Sequence, residues 1–302
     1  MNKILPTVTV GIPAYNEAAN IKYLLENILS QHEIGFFLDK IIVNSDGSDD
    51  DTVALASSID DCRIQVIDDR KRKGQAARQN EIIRSTETDI LVLLNADIIL
   101  DGRYFLKEII RPLLEGKAEF TSSNMLAVKT RTFVEKMLSM SIEFKNRIFE
   151  HWKNGNNLYT CHGAARAFSR AYYGHFHFEE SVGEDAYSYF FGIEYGHRYA
   201  YVRDAVARIK LPETLTDHFK QSGRFFNSQT RFIKEFGLAR IEVEYSLPKM
   251  LLFKSSIVSF LSHPILFTAY VIVTTASQWK AGFQKPIGQT WEIATSSKQL
   301  HP

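Results

Sequence analysis

Residues 88–100 of this chain, TDILVLLNADIIL, decide its fold class. The segment opens with five consecutive apolar residues, Ile90–Leu94, a length typical of one strand and too short for a typical helix. A run without polar alternation predicts a strand covered on both faces, as in the middle of a parallel α/β sheet. Asn95-Ala96-Asp97 then interrupts the run. A carboxylate in this place lies where such sheets open their ligand crevice, although Asp97 also suits a simple turn cap.

Strand and helix patterns alternate on the amino-terminal side of this segment. β-Branched and apolar runs predict strands, apolar residues at helical spacing predict helices, and Asn16 is expected to cap the first helix. The strands are predicted at 7–12, 40–43 and 63–67, and the helices at 18–29, 53–58 and 75–85. This alternation predicts an α/β fold with a doubly wound, mainly parallel sheet and helices on both faces.

Further elements follow on the carboxyl-terminal side. Strand patterns occur at 119–122, 125–128 and 159–169, and helical patterns at 132–150 and from residue 183 onward. The stretch 255–276 has no Asp, Glu, Lys or Arg. Its length is enough to cross a bilayer, but it also suits a hairpin in the membrane interface or a buried helix.

The composition limits the class of function. The chain has 302 residues and a formal net charge of +1, so its overall charge gives no reason to expect a nucleic-acid partner. Its two cysteines, Cys62 and Cys161, stand in no metal-binding or redox spacing, which favours a reducing compartment. The amino-terminal apolar stretch is too short for a signal peptide.

The loops after the predicted strands indicate which kind of nucleotide site the chain can form. The first strand is not followed by the glycine-rich dinucleotide fingerprint, and no Walker lysine motif occurs. The second strand instead ends in an acidic turn, NSDGSDDDT at 44–52, which suits ribose hydroxyls or a base edge. The carboxylate after the central strand suits a hard divalent cation that keeps phosphate oxygens among its ligands.

Four motifs in this order carry a family resemblance: IPAYNEAANI at 12–21, NSDGSDDDT at 44–52, KGQAARQN at 73–80 and NADIIL at 95–100. Together they resemble a family 2 glycosyltransferase of the GT-A fold. The resemblance implies that the nucleotide of a sugar donor is held by Pro13, Tyr15, Glu17 and Asp46. It also implies that Lys73 faces the donor, and we expect the neighbouring Arg70 and Arg72 not to do so.

The resemblance also implies a metal ion. Asn95 and Asp97 occupy the place of the family's Asp-x-Asp, whose last carboxylate meets Mg²⁺ or Mn²⁺ and the donor diphosphate. Asn95 replaces the first carboxylate of that motif, so one negative charge near the metal is lost. The metal is therefore assigned to Asp97.

The acceptor side is implied by two later motifs. Gly163, in YTCHGAARAFS at 159–169, matches the family strand under the donor sugar, and Glu184-Asp185 match the family's Glu-Asp helix start. The resemblance makes Asp185 the base that deprotonates the acceptor, whereas its local sequence alone also suits a helix cap.

The segment LPETLTDHFKQSGRFF at 211–226 resembles the Gln-x-x-Arg-Trp pattern of membrane-associated members, with Phe225 in the tryptophan place. The likeness implies that Gln221 and Arg224 line the acceptor and diphosphate side. Arg224 also suits an exposed helix face, and its planar fork suits a phosphate. His218 is a candidate second metal ligand, with a structural histidine as the alternative.

These features predict an inverting glycosyltransferase that moves a sugar from a UDP-linked donor to a lipid-linked sugar or growing glycan. The resemblance implies a catalytic domain at 1–230, with a nucleotide half at 1–100 and an acceptor half at 101–230. A helical extension is predicted at 231–302. The catalytic domain is placed at the cytoplasmic face of a membrane, with a soluble cytoplasmic protein as the alternative. A non-catalytic sugar-nucleotide-binding protein and a sugar nucleotidyltransferase are the alternative functions.

Overall fold

The structure, a computed structural model, describes residues 5–179, 183–281 and 300; side chains at 220–230 and 278–281 lie outside the description. Its one mixed sheet has eight strands. They are β1 (Thr7–Ala14), β2 (Phe37–Ser45), β3 (Ile64–Asp68), β4 (Ile90–Leu94), β5 (Ile98–Leu100), β6 (Phe120–Ala127), β7 (Ala165–Ser169) and β8 (Tyr199–Ile209). In space they follow the order β3-β2-β1-β4-β7-β6-β8-β5.

The helices connect and cover these strands. They are α1 (Ile21–Leu29), α2 (Thr52–Ser57), α3 (Gln75–Ser85), α4 (Phe105–Leu114), α5 (Phe133–Phe149), α6 (Arg170–Tyr173), α7 (Glu184–Glu194), α8 (Leu215–Phe236), α9 (Leu238–Tyr245), α10 (Lys249–Ser262) and α11 (Pro264–Ala281). Short 3₁₀ turns lie at Trp152–Gly155 and Leu158–Thr160. The predicted division at residue 230 falls within α8, and the two-domain organisation stays a prediction.

The central strand is where the sequence placed it. All five residues of β4 are buried. Leu91 and Leu93 pack into the core on one face of the sheet together with Ile82 of α3. Val92 and Leu94 pack into the core on the opposite face. The prediction of a strand covered on both faces is confirmed.

The prediction of a mainly parallel sheet holds for the amino-terminal half of the chain. There β1 runs parallel to β2 and β4, and β2 runs parallel to β3. Strand β7 then runs antiparallel to both β4 and β6, while β5 runs antiparallel to β8. Strand β6 runs parallel to β8. The sheet is therefore mixed, because the chain after β4 returns to it through both antiparallel and parallel pairings.

Two predicted strand boundaries are wrong in the acceptor half. The patterns at 119–122 and 125–128 belong to one strand, β6, whose pairing with β8 shifts register between Ser123 and Asn124. The pattern at 159–169 gives a strand only from Ala165 on. Before it, the side chain of Asn157 accepts a hydrogen bond from the Tyr159 N–H and starts a 3₁₀ turn, which removes those residues from the ladder.

The uncharged stretch 255–276 is divided between two helices. Helix α10 ends at Ser262 and α11 begins at Pro264, with His263 between them at φ −142° and ψ 64°. A proline has no N–H to continue the first helix and disfavours helical geometry in the residue before it. In the part of the chain that the structure describes, no helix is long and apolar enough to cross a membrane.

Candidate active site

The turns after β1 and β2 are joined into one rim at the carboxyl ends of the parallel strands. The Asn16 N–H donates to Ser48 Oγ at 3.1 Å, and the Asp49 N–H donates back to Asn16 Oδ1 at 3.1 Å. The Glu17 N–H donates to Thr52 Oγ1 at 2.7 Å. Asn16 has φ 53° and binds across this rim, so the prediction that it caps α1 is wrong. The N-cap residue is Asn20.

The side chains predicted to hold the nucleotide lie on this rim with partners of their own. Pro13 is the last residue but one of β1 and pairs in register with Asn44 of β2. Glu17 is buried, and its carboxylate accepts a hydrogen bond from Asn20 Nδ2 at 2.9 Å. The guanidinium of Arg72 lies 3.6 Å from the ring centroid of Tyr15. The expectation that Arg72 does not face the donor stays a prediction.

Asp46 fixes the entry to helix α3. Its carboxylate accepts hydrogen bonds from the backbone N–H groups of Lys73 at 2.7 Å and Gly74 at 3.0 Å. It also accepts one from Nε of Arg78 at 3.1 Å. The sequence assigned this carboxylate to the nucleotide, and that assignment stays a prediction. In the structure Asp46 holds the loop that delivers Lys73 to the rim.

A cavity of about 290 Å³ lies between α3 and the start of α7. Its lining includes Lys73, Gln75, Asn80, Glu81, Phe178 and Glu184. The Lys73 ammonium group lies 2.8 Å from Glu81 and 2.5 Å from Asp69. The Asn80 side chain holds the Phe178 backbone, since its Nδ2 donates to the carbonyl at 2.7 Å and its Oδ1 accepts from the N–H at 2.7 Å. The predicted donor residue Lys73 and the predicted acceptor residue Glu184 therefore share one cavity.

The end of the central strand is tied to the strand beside it. The Asn95 N–H donates to the Ala164 carbonyl at 2.9 Å, and Asn95 Oδ1 accepts from Gln75 Nε2 at 3.2 Å. Asp97 is half-buried in the short link between β4 and β5. The motif Asn95-Ala96-Asp97 is thus joined both to the first residue of α3 and to the approach to β7.

The candidate base lies in the first turn of α7. Gly183 precedes the helix at φ 96°, and Asp185 Oδ1 accepts a hydrogen bond from the Ala186 N–H at 2.8 Å. A Cβ atom added to Gly163 would lie 3.8 Å from Asp185 Oδ2, so the carboxylate rests against the chain at Gly163. Burial lowers the pKa of the neighbouring His162 to about 4, although the Asp185 charge acts in the opposite direction. The base candidate therefore lies beside a neutral imidazole.

Glu184, next to the candidate base, is buried and has an unusual pKa. Burial is the main cause and raises the pKa of Glu184 to about 7. The Asp185 charge adds to this increase, while backbone N–H groups and Arg166 oppose it. Near neutral pH this side chain is therefore divided between its neutral and charged forms.

This raised pKa gives a prediction for stability. The folded state binds the Glu184 proton more tightly than the unfolded chain between about pH 4.5 and 7, so this group's contribution to stability is lost as pH rises through that window. We expect Glu184→Gln to remove up to about 3 kcal/mol of that pH dependence in urea unfolding. Glu194→Gln, at the other end of α7, is the control, and an unchanged pH dependence in Glu184→Gln would contradict the raised pKa.

Three predicted acceptor-side residues cannot be placed. The side chains of Gln221, Arg224 and Phe225 lie outside the described residues, although the backbone of α8 runs through them. His218 lies in the first part of α8, where burial first and the Lys145 charge second lower its pKa. The roles assigned to these four residues stay predictions.

Comparison with known proteins identifies the family. The model of glycosyl transferase family 2 matches residues 9–176, more than half of the chain. The chain belongs to glycosyl transferase family 2. The resemblance read from the four ordered motifs is confirmed. This membership indicates the class of reaction, which is transfer of a sugar from a nucleotide-sugar donor.

Curated glycosyltransferases are similar to this chain in sequence. The O-antigen chain rhamnosyltransferase RfbN of Salmonella typhimurium is 27% identical over 237 residues, which cover 73% of this chain and 71% of RfbN. The chain spans only 50% to 61% of the length of the other curated relatives that it matches.

Two solved structures support the fold of this family 2 chain. A mannosyltransferase from Pyrobaculum calidifontis in complex with GDP-Man and Mn²⁺ has a TM-score of 0.57 at 19% identity, covering 93% of this chain and 78% of that one. Glucosyl-3-phosphoglycerate synthase from Mycobacterium tuberculosis in complex with Mn²⁺, UDP and phosphoglyceric acid has a TM-score of 0.54 at 19% identity, covering 77% and 79%. The mixed sheet with its covering helices is the GT-A fold.

A divalent cation at the end of β4 would meet the carboxylate of Asp97. Among the residues that the structure describes, no three His, Cys, Asp or Glu side chains are grouped to hold a metal ion. Asp97 offers carboxylate oxygens, and the Asn95 side-chain oxygen already accepts a bond from Gln75. Mg²⁺ commonly binds through one or two carboxylates plus substrate phosphates and water. A metal at Asp97 would thus depend on donor oxygens for its coordination shell.

Sequence reasoning missed Arg78, although it joins the turn after β2 to the start of α3. It is 1% exposed on the buried face of α3. Its guanidinium binds Asp46, Asp69 at 2.6 Å and Glu81 at 2.9 Å. Burial opposes the Glu81 charge, but hydrogen bonds from Lys73, Asn44 and Arg78 outweigh burial and lower the pKa of Glu81 to about 2. The sequence offered one signal for this role, an arginine among the positions of α3 that are buried.

We expect Arg78→Met to lower the free energy of unfolding by about 2 to 4 kcal/mol, because it leaves Asp46 and Glu81 without their buried cation. Urea denaturation measures the change. Arg84→Met, an exposed arginine on the same helix, is the matched control and should change stability by less than about 0.5 kcal/mol. Equal effects of the two substitutions would show that the buried ion pairs add nothing.

Arg166 is a second buried arginine that the sequence did not single out. It lies on β7 at 1% exposure, and its Nη1 donates to the Glu184 carbonyl and to Ser188 Oγ, both at 2.9 Å. Ser188 Oγ in turn donates to the Asp185 carbonyl at 2.8 Å. Arg166 therefore supports the first turn of α7 from below, where the candidate base is carried.

Proposed function

We propose that this chain is an inverting, metal-dependent glycosyltransferase that moves a sugar from a nucleoside diphosphate donor, UDP-linked in the first instance, to an acceptor hydroxyl. One observation carries the proposal. Asp185 rests against Gly163, and the next residue, Ala164, binds the Asn95 N–H through its carbonyl. The candidate base and the motif that ends in Asp97 are thereby joined through two consecutive residues, Gly163 and Ala164, just before β7.

The reaction would be a single displacement. The Asp185 carboxylate takes the proton of the acceptor hydroxyl while the acceptor oxygen bonds to the anomeric carbon. The bond from that carbon to the diphosphate oxygen breaks on the opposite side, so the anomeric configuration inverts. The diphosphate leaves towards the rim of Lys73 and Asp97. A divalent cation bound by Asp97 would neutralise charge on this leaving group.

The donor would occupy the rim and the cavity beside it. Pro13, Tyr15, Glu17 and Asp46 belong to the turns that face a nucleotide in this proposal, and the cavity of about 290 Å³ would take the sugar. The two solved neighbours are described with GDP-Man and Mn²⁺ and with UDP and Mn²⁺, which supports a nucleoside diphosphate donor and a metal here as well.

The acceptor in this proposal is a lipid-linked sugar or a growing glycan reached from the cytoplasmic face of a membrane. The described relative RfbN is an O-antigen chain rhamnosyltransferase, which supports a glycan acceptor. The two cysteines are free, Cys62 exposed and Cys161 buried, in keeping with a reducing compartment.

A donor screen against membrane lipid extracts tests the function. Purified full-length protein with Mn²⁺ is incubated with one labelled nucleoside diphosphate sugar at a time, and label is followed into the lipid fraction. We expect transfer from one donor, with an anomeric configuration opposite to the donor's by NMR. Donor binding in calorimetry without transfer or hydrolysis would favour a sugar-nucleotide-binding protein. Pyrophosphate release from sugar phosphate and NTP would favour a nucleotidyltransferase.

A further inference from the structure

Helices α10 and α11 form a hairpin whose outer face is apolar and exposed. Leu261 and Ile265, at 75% and 73% exposure, are the most exposed large apolar side chains of the described residues. They stand on either side of the turn at His263, at the tip of the hairpin. The same face continues along both helices with Met250, Phe253, Ile257, Val258, Phe260 and Ile272, each more than 40% exposed.

The inner face of the hairpin is already used. Leu266, Phe267 and Tyr270 of α11 pack against α5, where the Phe144 ring lies 5.4 Å from that of Phe267. Arg147 of α5 donates to Ser259 Oγ of α10 at 2.5 Å. The inner face therefore holds the hairpin on α5, and the exposed outer face is not part of that core.

Three hydroxyl groups of the hairpin are bonded to carbonyl groups of their own helix. Ser256 Oγ donates to the Leu252 carbonyl, and Thr268 and Thr275 donate to carbonyls four residues before them, all at 2.8 Å. A hydroxyl bonded to its own helix loses little on leaving water, because its donor is already satisfied. These three hydroxyl groups are thus compatible with apolar surroundings.

The charges of the segment have one sign. From Tyr245 to Ala281 the chain has no acidic residue, and the exposed Lys249 and Lys254 lie in the first part of α10, away from the tip. Lysines beside an apolar helix face suit the anionic headgroups of a bilayer, to which each adds affinity within the screening distance of salt. The lysines would be attracted to an anionic lipid surface, and the segment has no acidic residue that such a surface would repel.

We propose that the α10–α11 hairpin docks on a lipid leaflet that carries anionic headgroups, with Leu261 and Ile265 inserted deepest and Lys249 and Lys254 at the headgroups. Both helices then lie in the interface without crossing the bilayer. The protein thus binds the membrane through one face of a helical hairpin.

The docked hairpin adjoins the acceptor side of the site. The Lys145 ammonium group of α5 lies 5.8 Å from the ring centroid of Tyr270 in α11. The same Lys145 charge acts on His162, the neighbour of Asp185. The hairpin would hold this side of the domain near the leaflet. For an enzyme that acts as proposed above, the acceptor is then an amphiphile whose lipid part stays in the leaflet; this last step rests on the proposed function.

Vesicle flotation of the full-length protein tests the docking. Vesicles of phosphatidylcholine alone are compared with vesicles that also contain phosphatidylglycerol. The wild-type protein is expected to float with the anionic vesicles. Leu261→Ser combined with Ile265→Ser should weaken binding by about a hundredfold, since two apolar side chains lose their burial. Lys249→Gln combined with Lys254→Gln should weaken binding by about tenfold or more, and only on anionic vesicles.

Tyr195→Ser and Val243→Ser remove exposed side chains of comparable size outside the hairpin and are the matched controls. Failure of the wild-type protein to float, or equal flotation of the tip variant, would overturn the proposal. A Leu261→Ser, Ile265→Ser variant that changes a dimer into a monomer, with flotation unaffected, would also overturn the proposal. This face would then be the contact with a second copy of the chain. Donor hydrolysis is measured on the same samples. Flotation without hydrolysis refutes the function alone, and hydrolysis without flotation refutes the docking alone.

Discussion

Asp185→Asn is expected to lower kcat by about a hundredfold to ten-thousandfold, the range that a positioned general base contributes. Asparagine has nearly the same shape, and its side-chain oxygen can still accept the Ala186 N–H that Asp185 accepts now at 2.8 Å. The helix start and its contact with Gly163 should therefore persist. What is lost is the ability to take the acceptor proton.

The measurement is single-turnover transfer with saturating donor, together with calorimetric donor binding. Donor affinity should be unchanged, because the proposed role of Asp185 is to deprotonate the acceptor. Glu194→Gln, at the far end of the same helix, is the control and should keep wild-type turnover. Near-normal turnover of Asp185→Asn would remove Asp185 as the base and leave it as a residue of the first helical turn.

Asp97→Ala is expected to lower kcat/KM by about a thousandfold through loss of the proposed metal, which would supply several kcal/mol of charge stabilisation at the leaving group. Unlike Asp185→Asn, it should also weaken donor binding when Mn²⁺ is present. With EDTA the wild-type protein and the variant should bind the donor equally weakly. This difference separates the role of Asp97 from that of Asp185.

Asp101→Ala is the matched control for Asp97→Ala. Asp101 follows β5, only four residues further along, and forms an ion pair with Arg208 at 2.6 Å. Its loss should change neither metal dependence nor turnover, because an exposed ion pair contributes at most about 1 kcal/mol to stability. If both alanine variants retained the metal dependence of the wild-type protein, the metal would have to be bound elsewhere.

The amino-terminal half of the fold could be predicted because its elements are local. The bounds of α3 and β4 agree with the sequence patterns, since helical spacing and an unbroken apolar run are properties of neighbouring residues. The place of β7 between β4 and β6 depends on pairings such as Leu93 with Arg166, between residues far apart in the chain. No local pattern encodes that pairing.

The candidate site was predicted as a set of motifs, not as a set of contacts. The motifs of Asp97, Gly163 and Asp185 are brought together by the chain at Gly163 and Ala164, just before β7, as an ordered family pattern allows. Arg78 and Arg166 were missed because an arginine is almost never fully buried unless it is paired, and its partners cannot be read from the sequence. Asp46 was assigned to the nucleotide, which stays a prediction; its hydrogen bond to the loop at Lys73 could not be read from the sequence.

The double hydrogen bond between Asn80 and Phe178 bears on the order in which substrates enter. Asn80 faces the cavity proposed for the donor sugar, and Phe178 precedes Glu184 and Asp185 by only a few residues of chain. A donor bound in this cavity would therefore contact the side chain that holds Phe178, on the amino-terminal side of the candidate base. We expect the kinetics to show a compulsory sequence, with the donor entering first and the nucleoside diphosphate leaving last. In product-inhibition experiments the nucleoside diphosphate should then compete with the donor and not with the acceptor.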